Sequence, residues 1–205
     1  MHHIHQLAIP RRLRFVALSG AREDINVALQ LWPGLHALAI NELFAAGSAN
    51  DDLPPIRLPG GLSFLSGNAF YITQVLATAH DLPALRDLEL VLVGPLPPAE
   101  VVEQLEQLES LVFDELPTED VSLPKTLRHV GYHGSWTGGL PHDDASFLVA
   151  ALRALDELKL VTVARSGLSA WVQAPLMDAC RELHVEFVTF ETLAHFPRPG
   201  HVDWI

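Results

Sequence analysis

One short pattern of apolar positions, apolar-x-x-apolar-x-apolar, recurs along the whole chain. It reads Leu13-Val16-Leu18, Leu35-Leu38-Ile40, Leu62-Leu65-Gly67, Leu85-Leu88-Leu90, Leu108-Leu111-Phe113, Leu127-Val130-Tyr132, Leu155-Leu158-Leu160 and Cys180-Leu183-Val185. Only the third copy breaks the rule, with Gly67 at its last position. Subtracting the first positions gives steps of 22, 27, 23, 23, 19, 28 and 25 residues. Between the copies, apolar residues recur at three- and four-residue steps, the spacing of one helix face. This predicts helices over Asp24–Leu31, Asn68–Ala79, Pro98–Leu105, Asp143–Leu152 and Ala170–Ala179. Pro98 stands at a tolerated first-turn position with Glu100 close behind, and Asp143 and Asp144 suit a helix N-terminus. Pro175 makes the last of the five the weakest. Residues 44–61 are rich in Gly, Pro, Asp and Asn and read as a loop, and the short step holding Thr118 to Lys125 leaves little room for helix.

The mean step of about 24 residues falls within the roughly 20–29 expected of leucine-rich repeats. The expected fold is therefore α/β: an irregular leucine-rich-repeat solenoid, or horseshoe, of about eight repeats. Parallel strands would line its concave face, with helices or loops on the convex face. No single unit can bury its own apolar side, so neighbours must stack to form a continuous core. We expect one domain over 1–205, with an N-terminal arm at 1–12, repeats at 13–190 and a tail at 191–205.

The phrases LPALRDLEL, LEQLESLVFDELP and LPKTLRHVGYHGSW resemble the leucine-rich regions of fungal F-box-like proteins, mushroom ones especially. The resemblance covers roughly residues 82 to 190 and rests on style more than on an invariant motif. In that family an N-terminal F-box docks onto a ubiquitin-ligase scaffold and the repeats bind the substrate. The resemblance thus implies substrate recognition for a ubiquitin ligase. No F-box-like helical module precedes Leu13, so that role is implied by relatives and not carried by residues of this chain.

In this register the third, fifth and seventh residues of each copy face the concave surface. Early copies place Phe15, Ala17, Ala37, Ala39, Phe64, Ser66 and Asn68 there, and later ones Asp87, Glu89, Asp114, His129, His133, Glu157, Lys159, Glu182, His184 and Glu186. Trp136 lies in a His-Gly-Ser-Trp-Thr-Gly-Gly loop, where an aromatic side chain serves either as a recognition edge or as a packed anchor. The expected partner-binding residues are Phe64, Asp87, Glu89, His129, His133, Trp136, Glu157 and His184. Trp32 and Trp171 fall in convex segments and are assigned to the core, and Trp204 could cap the last repeat.

Composition and charge narrow the partner. Apolar residues make up 49% of the 205, enough for a packed core, and the net charge is -12. Such a chain repels a duplex or an anionic membrane, so a protein is the expected partner, with no nucleic acid and no membrane. No apolar run approaches the roughly 18 residues that span a bilayer. The start, Met1-His2-His3-Ile4-His5, lacks the apolar stretch of a signal peptide, and the lone Cys180 suits a reducing compartment. A cytoplasmic or nuclear location is expected.

The residues present no convincing catalytic centre, and no cofactor or metal is expected. On a strand, His129 and His133 would stand about 13 Å apart, too far to share an ion. Met1-His2-His3 could chelate copper or nickel adventitiously, and His142-Asp143-Asp144 has the residue types of an acid–base site but fits helix initiation better. Neither Ser19-Gly20 nor Ser166-Gly167 sits in a nucleophile elbow, and the glycines at 60, 61, 138 and 139 form no phosphate loop. Cys180, at an inward position, behaves as a small apolar group. Two other classes stay open. One is an α/β hydrolase or transferase using His142, Asp143 or Asp144. The other is a structural fragment that self-associates weakly through its open ends.

Overall fold

The computed structural model describes residues 15–44, 55–78, 85–91, 101, 104–113, 123–132, 145–164 and 170–190. Eight strands make one sheet: β1 (Phe15–Ala21), β2 (Ala37–Phe44), β3 (Phe64–Asn68), β4 (Asp87–Val91), β5 (Ser110–Phe113), β6 (His129–Tyr132), β7 (Leu160–Ala164) and β8 (Glu186–Phe190). Every neighbouring pair is parallel, and the strands lie side by side in chain order. The sheet is open. Four helices are described: α1 (Arg22–Leu31), α2 (Ala69–Thr78), α3 (Ser146–Arg153) and α4 (Ala170–Glu182).

The repeat pattern builds β2 to β6 in the same way. Its first leucine sits two residues before the strand and is sealed, with Leu35, Leu62, Leu108 and Leu127 at 0% exposure. A tight turn delivers each of these leucines: the backbone N–H groups of Leu35, Leu62, Leu108 and Leu127 donate to the carbonyls of Trp32, Pro59, Leu105 and Pro124. The next residue passes the chain to its neighbour. The carbonyls of His36, Ser63, Arg86, Glu109 and Arg128 each accept two N–H groups from the start of the following strand. The backbone polar groups at the strand starts are thus paired among themselves, which lets the side chains around them be apolar.

Alternate strand residues then point toward the helices. Leu38, Leu65, Leu88, Leu111, Val130 and Val161 form one buried row, and Ile40, Leu90, Phe113, Tyr132 and Val163 a second. Ile25 and Leu29 of α1, Ile72, Val75 and Leu76 of α2, Leu148 and Leu152 of α3, and Leu176 and Ala179 of α4 close over these rows in one continuous core. Burying each Leu, Ile or Val is worth about 1.5–3 kcal/mol.

Gly67, the one break in the apolar pattern, occupies the second row. A Cβ built there would collide with the carbonyl oxygen of Ile40 on β2 and lie 3.2 Å from Cδ1 of Ile72 on α2. The β2 backbone approaches too closely for any side chain, and Ile72 of α2 packs over the glycine. Asn26 of α1 ties the segment after β2 to the stack: its side chain donates to the Pro55 carbonyl at 3.0 Å and accepts the Arg57 N–H at 2.9 Å.

The helices differ from expectation at their ends. Helix α3 begins at Ser146, three residues after Asp143, and its N-cap Ala145 makes no side-chain cap bond. Helix α4 runs through Pro175 to Glu182 and keeps its buried side, with Leu176, Ala179 and Cys180 at 0–1% exposure. It ends in a Schellman arrangement: the Val185 N–H donates to the Cys180 carbonyl and the His184 N–H to the Arg181 carbonyl, with His184 at φ 56°. Of the expected helix at Pro98–Leu105, all but Val101, Gln104 and Leu105 lies outside the described residues, as do the expected arm at 1–12 and tail at 191–205.

The last two copies are out of register with expectation. Strand β7 starts at Leu160, with Val161 and Val163 in the core rows, so its leading leucine is Leu158 and not Leu155. Strand β8 places Phe187 and Thr189 in those rows, so His184 takes the position expected for Cys180. The shifts are three and four residues: before β7 the turn after α3 also satisfies the leucine spacing, and before β8 the end of α4 does.

Candidate functional site

The face of the sheet opposite the helices carries the polar residues expected to bind a partner. Along its first row, strands β2 to β8 present Ala37, Phe64, Asp87, Ser110, His129, Leu160 and Glu186. Ala39, Ser66, Glu89, Val112, Gly131, Thr162 and Val188 follow in the second. The expectation that this face is open fails over its middle. Phe64 is 3% exposed, Glu89 4% and His129 7%, and Ser66, Ser110, Val112 and Thr162 are buried beside them. These buried residues run from β3 to β7, with Asp87 half-buried among them, and Phe190 of β8 packs on the same face against Val112 and Ala164. Phe64, Glu89 and His129 therefore present no free side chain for a partner in this conformation.

A hydrogen-bonded polar strip runs across the buried part of this face. Ser66 Oγ donates to Glu89 Oε2 at 3.1 Å. Ser110 Oγ lies 2.7 Å from His129 Nδ1, and His129 Nε2 lies 2.8 Å from Thr162 Oγ1. A neutral imidazole donates through one nitrogen and accepts through the other, and both hydroxyls can play the complementary part. Burial favours that neutral form and lowers the His129 pKa from 6.5 to about 4. The ring thereby pins β5, β6 and β7 together.

Ser110 and His129 are close enough to be a nucleophile and its base. The remaining geometry opposes that use. Both side chains are buried, so no acyl or phosphoryl group reaches Ser110 Oγ, and the far ring nitrogen is engaged by the Thr162 hydroxyl.

Asp87 sits beside Ser110 in the same row and is half-buried. Burial, and then the nearby Glu109 carboxylate, raise its pKa from 3.8 to about 6, against an opposing effect of Arg86. Cys180 lies on the helix side, where burial pushes its thiol up to about 11, as an inert core thiol requires. Among the described residues, no group of three or more His, Cys, Asp or Glu side chains is placed to hold a metal ion.

One line of exposed charged side chains stands at the starts of the strands, apart from the Arg153–Glu182 and Arg181–Asp178 pairs on the helices. Arg86, Glu109, Arg128 and Lys159 immediately precede β4, β5, β6 and β7, so they form one rim along the edge of the sheet. Arg86 pairs with Glu109 at 3.9 Å, and Arg128 with Glu157 at 3.3 Å, with all four side chains 44–61% exposed. Glu157 thus joins the rim through the turn before β7, and does not stand on the strand face as expected. His184 is exposed too, but in the left-handed turn that ends α4. His133 and Trp136 lie outside the described residues, as do Asp114, His142, Asp143 and Asp144.

Two participants in the strip escaped the sequence reading. Ser110 is the third residue of its copy, the same position as Asp87 and His129, so the alternation rule already marked it. Thr162 was hidden by the register error at β7. No helix among the described residues is long and apolar enough to cross a membrane. Comparison of the chain with protein-family models, curated proteins and solved structures finds no match.

Proposed function

We propose that the chain is a leucine-rich-repeat scaffold that binds another protein through the rim at the strand starts. One observation carries this reading. Successive repeats each contribute one strand in chain order, and each of β4 to β7 sets an exposed charged side chain at the same edge. Arg86, Glu109, Arg128, Glu157 and Lys159 alternate in sign along it, which suits a polar protein surface better than a single-sign polyanion. Repeat proteins use such extended, multi-repeat surfaces to bind partners. No catalysis is assigned, because the nucleophile–base pair seen among the described residues is buried. By the resemblance to F-box-like proteins, the partner would be a substrate delivered to a ubiquitin ligase, in the cytoplasm or nucleus.

The test is affinity capture with the wild-type chain and with a variant carrying Arg86→Ala, Glu109→Ala, Arg128→Ala and Glu157→Ala. All four residues are exposed, and each substitution should change stability by no more than about 0.5 kcal/mol. Specific partners of the wild-type chain should be lost by the folded variant. If the variant retains every one of them, the rim is not the binding surface.

A further inference from the structure

We draw no further inference here: the strongest candidate, the apolar end of the stack where Val16 and Leu18 of β1 stay partly exposed beside Val27 and Leu31 of α1, is an unpartnered face, and nothing in the structure shows what covers it.

Discussion

Replacing Gly67 with alanine adds one methyl group at the most crowded point between β2, β3 and α2. The new Cβ would overlap the Ile40 carbonyl oxygen and press within 3.2 Å of Ile72 Cδ1. The first neighbour is backbone within the sheet, so relief requires β2 and β3 to part or α2 to lift. Overpacking of a tight core costs about 1–3 kcal/mol. The backbone at Gly67, with φ 157°, adds a further cost of about 1–3 kcal/mol for a residue with a Cβ. The sum, roughly 2–6 kcal/mol, is a large share of the 5–15 kcal/mol that holds a typical domain. Urea unfolding followed by circular dichroism measures it directly, and the thermal midpoint should fall by roughly 4–24 °C for a chain of this size. Gly34→Ala is the matched control, because a Cβ there meets nothing within 4 Å. If Gly67→Ala unfolds at the same urea concentration as Gly34→Ala, the pairing of Ile40 with Gly67 is wrong, and so is the register of the first strands.

Two further predictions follow from titration, with opposite signs. The folded-state pKa of His129 is lowered to about 4 from 6.5, so the folded protein holds fewer protons than the unfolded chain between those values. Its contribution is complete above pH 6.5 and is lost as pH falls toward 4, at most about 3 kcal/mol. His129→Gln should flatten that part of the stability profile, and an unchanged slope would refute the burial of a neutral ring. Asp87 is raised to about 6, so its contribution is complete near pH 4 and is lost as pH rises through 6. Asp87→Asn should stabilise the protein by about 1–2 kcal/mol at pH 8, a value discounted for the solvent Asp87 still meets, and leave it unchanged at pH 3. A loss of stability at pH 8 would overturn this. His184→Gly relieves a left-handed position and should raise stability by about 0.5–1 kcal/mol in urea titration. Destabilisation there would mean that the His184 side chain is needed in its turn.

The leading leucine and the two core rows were legible because a strand follows each leucine at a constant offset. For Leu35, Leu62, Leu85, Leu108 and Leu127 the spacing had one solution. Near β7 it had two, since Leu155-Leu158-Leu160 and Leu158-Val161-Val163 both satisfy it. The choice is made by the Arg128 carbonyl, which receives the N–H groups of Lys159 and Leu160, a contact between distant parts of the chain. At β8 the true positions, His184, Phe187 and Thr189, break the apolar rule, while the end of α4 obeys it. Alternation correctly placed Phe64, Glu89 and His129 on the face away from the helices. It could not show that they are buried, because burial there depends on tertiary packing. Gly67 looked like a defect in the pattern and is instead a requirement of the Ile40 and Ile72 contacts.

The most direct test of the stacked ladder is the set of distances along its rim, read by pulsed electron spin resonance. Spin labels would be placed at His36 and, in turn, at Glu109, Arg128 and Lys159, residues that precede β2, β5, β6 and β7. Strands in a sheet lie about 4.8 Å apart, so a parallel ladder in chain order predicts backbone separations of roughly 14, 19 and 24 Å, rising at each step. A sequence of distances that falls or reverses would mean a shuffled strand order, and with it neither the repeat stack nor its charged rim would stand.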